Sequence, residues 1–345
     1  MASHRPDLGQ AVSSRLRPAV AVSGGGPGEV FLGERLIEVL RVLQPGLLTT
    51  IQDIGRPHAV ASGVPPGGAM DRFAHTAANL LVGNDRGAAT LECTLTGPHL
   101  VAEHACLIAI TGADFEPRVN GDAAPMWTGL FLSQGDQLTF GGRRAGARAY
   151  VAVAGGISAD RWLGSMSTNL MCARGGMHGR ALVAGDALPV GELSGPVVAG
   201  RNLAAGMRPV YGERTLHVIA GPHFTRLQGE SREALFSAGF SVSHDSNRMG
   251  YRLEGPRLDA PGEELLSFGV VAGAVQLPAG GQPILLMADH QTAGGYPVVV
   301  TVASVSIPIA AQLAPGDEFR FAEITIDTAL QMRAAQREAL DLLMR

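Results

Sequence analysis

Lysine is absent from this chain of 345 residues; all 27 of its basic side chains are arginine. A Walker A phosphate loop needs its lysine, and a Schiff-base mechanism needs an amine nucleophile, so both are excluded. Biotinylation is excluded too, because biotin is carried on a lysine. Cysteine is scarce: Cys93, Cys106 and Cys172 are odd in number and lack metal-ligand spacing. They point to buried thiols in a reducing compartment. Long apolar runs are missing as well. The longest, over 268–288, is broken by Gly273, Gln276, Pro278, Gly280, Gly281 and Pro283, and is not a membrane span. Residues 1–20 carry several arginines and no apolar signal segment, so the expected setting is the cytoplasm. A net charge of −4 with no basic run leaves no footprint for nucleic acid or a membrane surface. No Gly-x-Ser-x-Gly elbow, His-Glu-x-x-His helix or dinucleotide fingerprint is present.

What the chain has instead is glycine, 46 residues, and proline, 21, spread along its whole length. They read as many turns between short strands. Residues 1–35, rich in Arg, Ser, Gly and Pro, read as a disordered extension. Ordered sequence is expected from Leu36, with a first β domain over 36–200, a second over 201–326 and a C-terminal helix over 327–345. Helices are few: Arg72–Val82 capped by Asp71, Arg232–Ser237 capped by Ser231, and a last one capped by Asp327. One pattern recurs, at Ser133-Gln134-Gly135-Asp136, Val183-Ala184-Gly185-Asp186 and Ala314-Pro315-Gly316-Asp317. Each is a Gly-Asp turn feeding an apolar strand, a barrel-corner signal that suggests related β-barrel units.

Three clusters combine polar side chains with glycine. In the first, Gln52, Asp53 and Arg56 stand beside Gly55, followed by Gly63-Val64-Pro65-Pro66-Gly67-Gly68. It is either a ligand-approach turn or an Asp–Arg pair fixing a loop. In the second, Arg248 and Tyr251 are placed to grip a carboxylate or phosphate, since arginine presents a planar fork of donors. Arg252 and Glu254, two apart, share a strand face and pair if they do no more. The third runs from Gln276 through an apolar strand into Asp289-His290-Gln291-Thr292-Ala293-Gly294-Gly295-Tyr296-Pro297. Here Asp289 suits a general base or its orienter, and His290 titrates near neutrality. Gln291 suits an amide or ureido group, Gly294 and Gly295 offer backbone N–H donors, and Tyr296 closes the turn. The bland reading is a tight turn with a capped aromatic.

Taken in order, several segments resemble the KipA or allophanate hydrolase subunit 2 family of biotin-dependent carboxyltransferases, which includes the C component of bacterial 5-oxoprolinase. They are Leu43–Arg56, Asn79–Asn84, Glu92–Leu95, Ile110–Ala113, Ala154–Ile157, Arg248–Gly255 and Gly294–Pro297. The resemblance covers roughly residues 37–325. It implies a mainly β fold of two cyclophilin-like β-barrel units with a few short helices. It further implies assembly with a KipI-like B component and a LamB/YcsF-like A component. The implied activity is ATP-dependent opening of a small cyclic amide, 5-oxoproline to glutamate, with the ATP site not located in this chain. The catalytic residues would then be Asp289, Gln291 and Arg248. Substrate-binding residues would be Gln52, Asp53, Arg56, Tyr251, Gln276, His290, Gly294, Gly295 and Tyr296, with no metal. One alternative moves carbon dioxide from carboxybiotin, carried by another protein, to a urea-like nitrogen. Another is a non-catalytic regulator that binds a KipI-like protein.

Overall fold

The computed structural model describes residues 36–193 and 198–344, so the expected extension over 1–35 lies outside the described residues. Strands are numbered in chain order. Short apolar strands of the first half build two sheets. One has the order β11 (Ala187–Val190), β1 (Ile37–Gln44), β4 (His99–Ala102), β9 (Gln137–Phe140), β6 (Pro117–Val119), β7 (Asp122–Ala123). The other has the order β2 (Leu48–Gln52), β3 (Thr90–Thr94), β10 (Ala145–Val153), β5 (Cys106–Asp114), β8 (Gly129–Leu132). Leu40, Val42 and Leu100 of the first sheet meet Ile51, Leu91, Ile108 and Val151 of the second in one core.

The second sheet is covered on its other face too. There Phe73, Ala77 and Leu81 of helix α1 (Arg72–Leu81) pack on Leu107, Ala109 and Ala152, joined by Leu340 and Leu343 from the C-terminal end. Burial on both faces explains why β5 and β10 are near-continuous apolar runs rather than alternating ones.

Seven strands of the second half close a barrel. Around it run β12 (Thr215–Ala220), β19 (Val298–Val302), β16 (Ala274–Gln276), β17 (Ile284–Leu286), β14 (Gly250–Glu254), β13 (Phe240–Val242) and β20 (Glu318–Glu323). Parallel pairing of β12 with β20, Thr215 opposite Arg320, shuts the ring. Phe240, Phe319 and Phe321 fill it with Tyr251, Leu253 and Leu285. The Phe319 and Phe321 rings meet edge to face at 5.2 Å, a favoured aromatic geometry. A two-stranded ribbon, β15 (Phe268–Gly269) with β18 (Ala293–Gly294), stands beside the barrel.

The expectation of a mainly β fold holds, whereas the expected two β-barrel units are corrected to one closed barrel and two open sheets. In the first half β7, β11, β2 and β8 remain as edges of two open sheets. Apolar periodicity reports which face of a strand is buried, and it carries no information on whether two sheet edges meet.

The three Gly-Asp turns share one construction. Asp136, Asp186 and Asp317 each accept, through a side-chain oxygen, the backbone N–H three residues back, at 2.7, 2.8 and 3.0 Å. Gly135, Gly185 and Gly316 have φ of 91°, 94° and 83°, a left-handed backbone suited to glycine. They feed β9, β11 and β20 in turn.

Asp71 caps α1 as expected, accepting the Ala74 N–H at 2.9 Å. The other two caps are corrected. Helix α2 (Gly229–Ser237) starts after Gln228, and Ser231 instead accepts the Asp259 N–H. A short helix, α3 (Ile307–Ala311), lies in a segment where no helix was expected. Helix α4 (Ile326–Asp341) is capped by Thr325, which accepts the Thr328 N–H, while Asp327 sits in the first turn. A threonine one residue before the first helical residue suits the cap, and an acid inside the first turn suits the helix dipole. Among the described residues no helix is long and apolar enough to cross a membrane.

Candidate functional site

The site is built where the loop after β2 meets the ends of two neighbouring barrel strands. β14 and β17 pair antiparallel, with Gly250 opposite Leu286. The residues just beyond them, Arg248 and Asp289, therefore lie side by side. The Asp289 N–H donates to the Arg248 carbonyl at 2.9 Å. From the other half, the Gly67 N–H donates to the Ala288 carbonyl at 3.0 Å, which seats the Pro66–Gly68 loop on this corner.

Arg248 is buried and each of its three nitrogens finds a partner inside the protein. Nε reaches Asp289 Oδ2 at 2.8 Å and Nη2 reaches Asp289 Oδ1 at 3.2 Å. Nη1 donates to Glu92, and Nη2 also donates to the Gly68 carbonyl at 2.7 Å and approaches Gln52 Oε1 at 3.5 Å. Burial disfavours the charge on Arg248, but Asp289 and Glu92 outweigh it and hold the guanidinium protonated.

Glu92, at the centre of β3, was not among the expected site residues. Its Oε2 accepts the Tyr150 O–H at 2.7 Å and the Met70 N–H at 2.8 Å. Burial pushes its carboxyl up, yet Arg248 and Arg148, with those two hydrogen bonds, bring it below the ordinary carboxylate value. The Tyr150 hydroxyl oxygen in turn accepts the Asp71 N–H, and the Asp71 carboxylate accepts from Tyr211 and Gln312. The sequence held one signal for this network: a lone acid in the strand Thr-Leu-Glu-Cys-Thr, where a buried charge must be paired.

Arg56 is fully buried. Its Nη2 donates to the Ser167 carbonyl, and its guanidinium lies 4.7 Å from the Trp162 ring centre. Its Nε and Nη1 have no protein partner among the described residues. Burial lowers its pKa, against the opposing pull of Asp53 and Asp289. Nη1 faces Gly67: a β-carbon there would sit 2.9 Å from it and 3.5 Å from Asp289 Oδ1. Asp53 does not pair with Arg56. It accepts from the Ser165 and Ser167 hydroxyls at 2.6 Å each and from the Met166 N–H at 2.6 Å, tying the 165–167 loop in place.

On the far side of Asp289, Gln291 Nε2 donates to Gln276 Oε1 at 3.0 Å. Gln276 Nε2 is buried without a partner, and a β-carbon on Gly294 would lie 2.6 Å from it. His290 is buried, which lowers its pKa, and the neutral ring's Nδ1–H donates to the Gln291 carbonyl at 2.6 Å. Tyr251 belongs to the barrel core, and Tyr296 is half exposed at the turn beside Gly295.

The structure thus brings Gln52, Arg248 and Asp289 together, sets Arg56 across Gly67 from them, and pairs Gln276 with Gln291. It directs Asp53 and Tyr251 elsewhere. Among the expected site residues four buried donors, Arg56 Nε and Nη1, Gln276 Nε2 and the Tyr251 hydroxyl, have no partner among the described residues. Arg56 Nη1 and Gln276 Nε2 are the two that flank the Asp289 corner.

Known proteins share this chain's sequence and fold. The carboxyltransferase domain family, subdomains A and B, matches residues 62–323. The C component of Escherichia coli 5-oxoprolinase is 37% identical over 308 residues, covering 88% of this chain and 97% of that protein. Its Haemophilus influenzae counterpart is 30% identical, covering 86% and 94%. Among solved structures, the Kluyveromyces lactis urea amidolyase superposes with a TM-score of 0.83 at 29% identity. That likeness covers 89% of this chain but 20% of the amidolyase, so this chain corresponds to about a fifth of it. The chain belongs to the carboxyltransferase domain family, subdomains A and B.

Proposed function

We propose that this protein is the C component of an ATP-dependent 5-oxoprolinase-type complex that opens a small cyclic amide, with KipI-like B and LamB/YcsF-like A components as partners. The match to the C component of Escherichia coli 5-oxoprolinase, over 97% of that protein's length at 37% identity, carries this reading. The site chemistry supports it. A lactam with a carboxylate offers only oxygen acceptors and one N–H, and the corner around Asp289 offers the complement. Arg56 Nη1 and Gln276 Nε2 would donate to the substrate's oxygens, and removing them from water makes each such bond selective. Asp289 would orient the attacking water. Arg248 holds Asp289 and is a positioning residue, since each of its nitrogens is already bonded within the protein.

An amide is inert to water at neutral pH unless its oxygen is made a better electron sink. Phosphorylation of that oxygen by ATP, with ADP leaving, would do so. Water would then add to the carbon, and the ring C–N bond would break with a proton passing to the nitrogen. A second water would hydrolyse the resulting acyl phosphate to the free carboxylate and inorganic phosphate. A carboxyltransferase role is the second reading, favoured by the superposition on urea amidolyase. Biotin would then have to be carried by another protein, because this chain has no lysine.

The test is co-expression with the B-like and A-like proteins and an assay of glutamate formation from 5-oxoproline. ATP-dependent release by the complete set, and by no subset, is expected. A purified, intact three-component complex without ATP-dependent turnover would sink the reading.

A further inference from the structure

A second feature lies outside this corner. Between α1 and α4 a cleft of about 1080 Å³ opens, a size suited to a nucleotide-sized ligand. Arg72 projects from the first turn of α1, and Arg333 and Arg337 line the cleft from α4. All three are exposed. Among the described residues none of them forms a salt bridge, whereas the fourth lining arginine, Arg86, is paired with Asp341, the cleft's one acid. Three guanidinium groups without a salt bridge among the described residues thus line one cleft in a protein whose net charge is −4, with Arg72 partly balanced by the more distant Asp53. Arg333 and Arg337 are four apart, so they stand on one face of the helix and repel each other unless an anion lies between them. Apolar side chains share the lining with them: Ile219, Leu286 and Ile307, and Leu330 from α4 itself.

We infer that this cleft binds an organic polyanion with an apolar body, of the nucleoside polyphosphate class. Arginine forks suit phosphate oxygens in pairs, and clustered positive charge is relieved by a ligand with several negative charges rather than one. The apolar lining suits the face of a base, which separates this ligand from inorganic phosphate. The inference stands on charge and shape and goes beyond the function proposed above, which leaves its nucleotide unplaced. The 5-oxoproline corner and the cleft adjoin through Gly67 and Ala288, which line the cleft while Gly67 also faces Arg56.

Calorimetric titration of the full chain with ATP, tripolyphosphate and adenosine decides it. ATP should bind saturably and be displaced by tripolyphosphate, and adenosine should bind at least about tenfold more weakly. The double variant Arg333→Ala/Arg337→Ala should weaken ATP by about tenfold or more with its melting temperature kept. Arg72→Ala, on the opposite wall, gives an independent reading should the helix variant fail to fold. Absence of saturable ATP binding overturns the inference, as does adenosine binding as tightly as ATP or unchanged affinity in both variants. In the assembled complex, turnover of 5-oxoproline with an unchanged KM for ATP in these variants removes the cleft and leaves the proposed function standing. ATP binding through the arginines without turnover in any assembly does the reverse.

Discussion

Arg248 grips Asp289 along its side edge, Nε 2.8 Å from Oδ2 and Nη2 3.2 Å from Oδ1, and its Nη1 donates to Glu92 from the other half of the chain. One guanidinium therefore bonds two buried carboxylates, with Arg148 adding a second positive charge near Glu92, and ties the first half's second sheet to the barrel. Breaking such a cluster by removing one partner leaves an uncompensated buried charge, which costs about 3–5 kcal/mol. Arg248→Ala is thus expected to lower the melting temperature sharply. Glu92→Gln in the same background should recover part of the loss, because one of the two orphaned charges is gone. A thermal double-mutant cycle measures this, with coupling on the order of 1–3 kcal/mol expected. An Arg248→Ala protein as stable as wild type would show that the pair is not holding the halves together.

Two buried groups, one capping α1 and one within it, titrate in opposite senses. Burial raises the Asp71 carboxyl from 3.8 to about 6, and burial lowers the His75 imidazole from 6.5 to about 4. For Asp71 the folded pKa is raised, so its contribution to stability is complete below about 4 and is lost as pH rises through 6. For His75 the folded pKa is depressed, so its contribution is complete above 6.5 and is lost as pH falls through 4. The windows overlap and the slopes offset, each worth roughly 3 kcal/mol at full titration. Relative to wild type, Asp71→Asn should lose stability as pH falls from 6.5 to 4, and His75→Phe should gain it. Denaturant melts across that range check both signs; parallel curves for all three proteins would refute the compensation.

Gly67 and Gly63 separate backbone strain from site geometry. Both have a left-handed backbone, φ of 63° and 76°. A β-carbon at Gly63 meets nothing within 4 Å, whereas one at Gly67 would press on Arg56 Nη1 at 2.9 Å. Alanine at either position carries a similar left-handed penalty of about 1–2 kcal/mol. Turnover by the assembled complex should fall about tenfold or more for Gly67→Ala alone, as Arg56 is displaced. Equal activity in the two variants would take Arg56 out of the site.

Much of the architecture was legible. The turn at each Gly-Asp and the cap at Asp71 follow from local chemistry. The site was legible in part, for a physical reason. Gln52, Arg248 and Asp289 each stand out as polar residues beside glycine, but the sequence does not say whether a donor is already spent. Arg248 and Asp53 have partners far along the chain, at Glu92 and at Ser165 and Ser167, and only the fold brings them close. Closure of the barrel depends on the parallel meeting of β12 and β20, about a hundred residues apart, which no local pattern encodes.

Gln276 offers the sharpest separation of a structural from a binding role. Its Oε1 accepts from Gln291, but its Nε2 is buried and unpaired. An unmade hydrogen bond in the interior costs about 1–3 kcal/mol, so a merely structural residue would gain nothing from keeping it. Gln276→Met, of similar volume, removes that donor and also strands the Gln291 amide, which is only partly buried and can turn to water. Stability should therefore hold or rise, while KM for the amide substrate rises about tenfold and kcat changes little. Gln291→Met leaves the donor in place and frees only its orientation, so its KM should move less. A strain carried for function behaves this way, gaining stability where binding is lost. A Gln276→Met protein that melts earlier with an unchanged KM would mark the residue as a strut of β16 and nothing more.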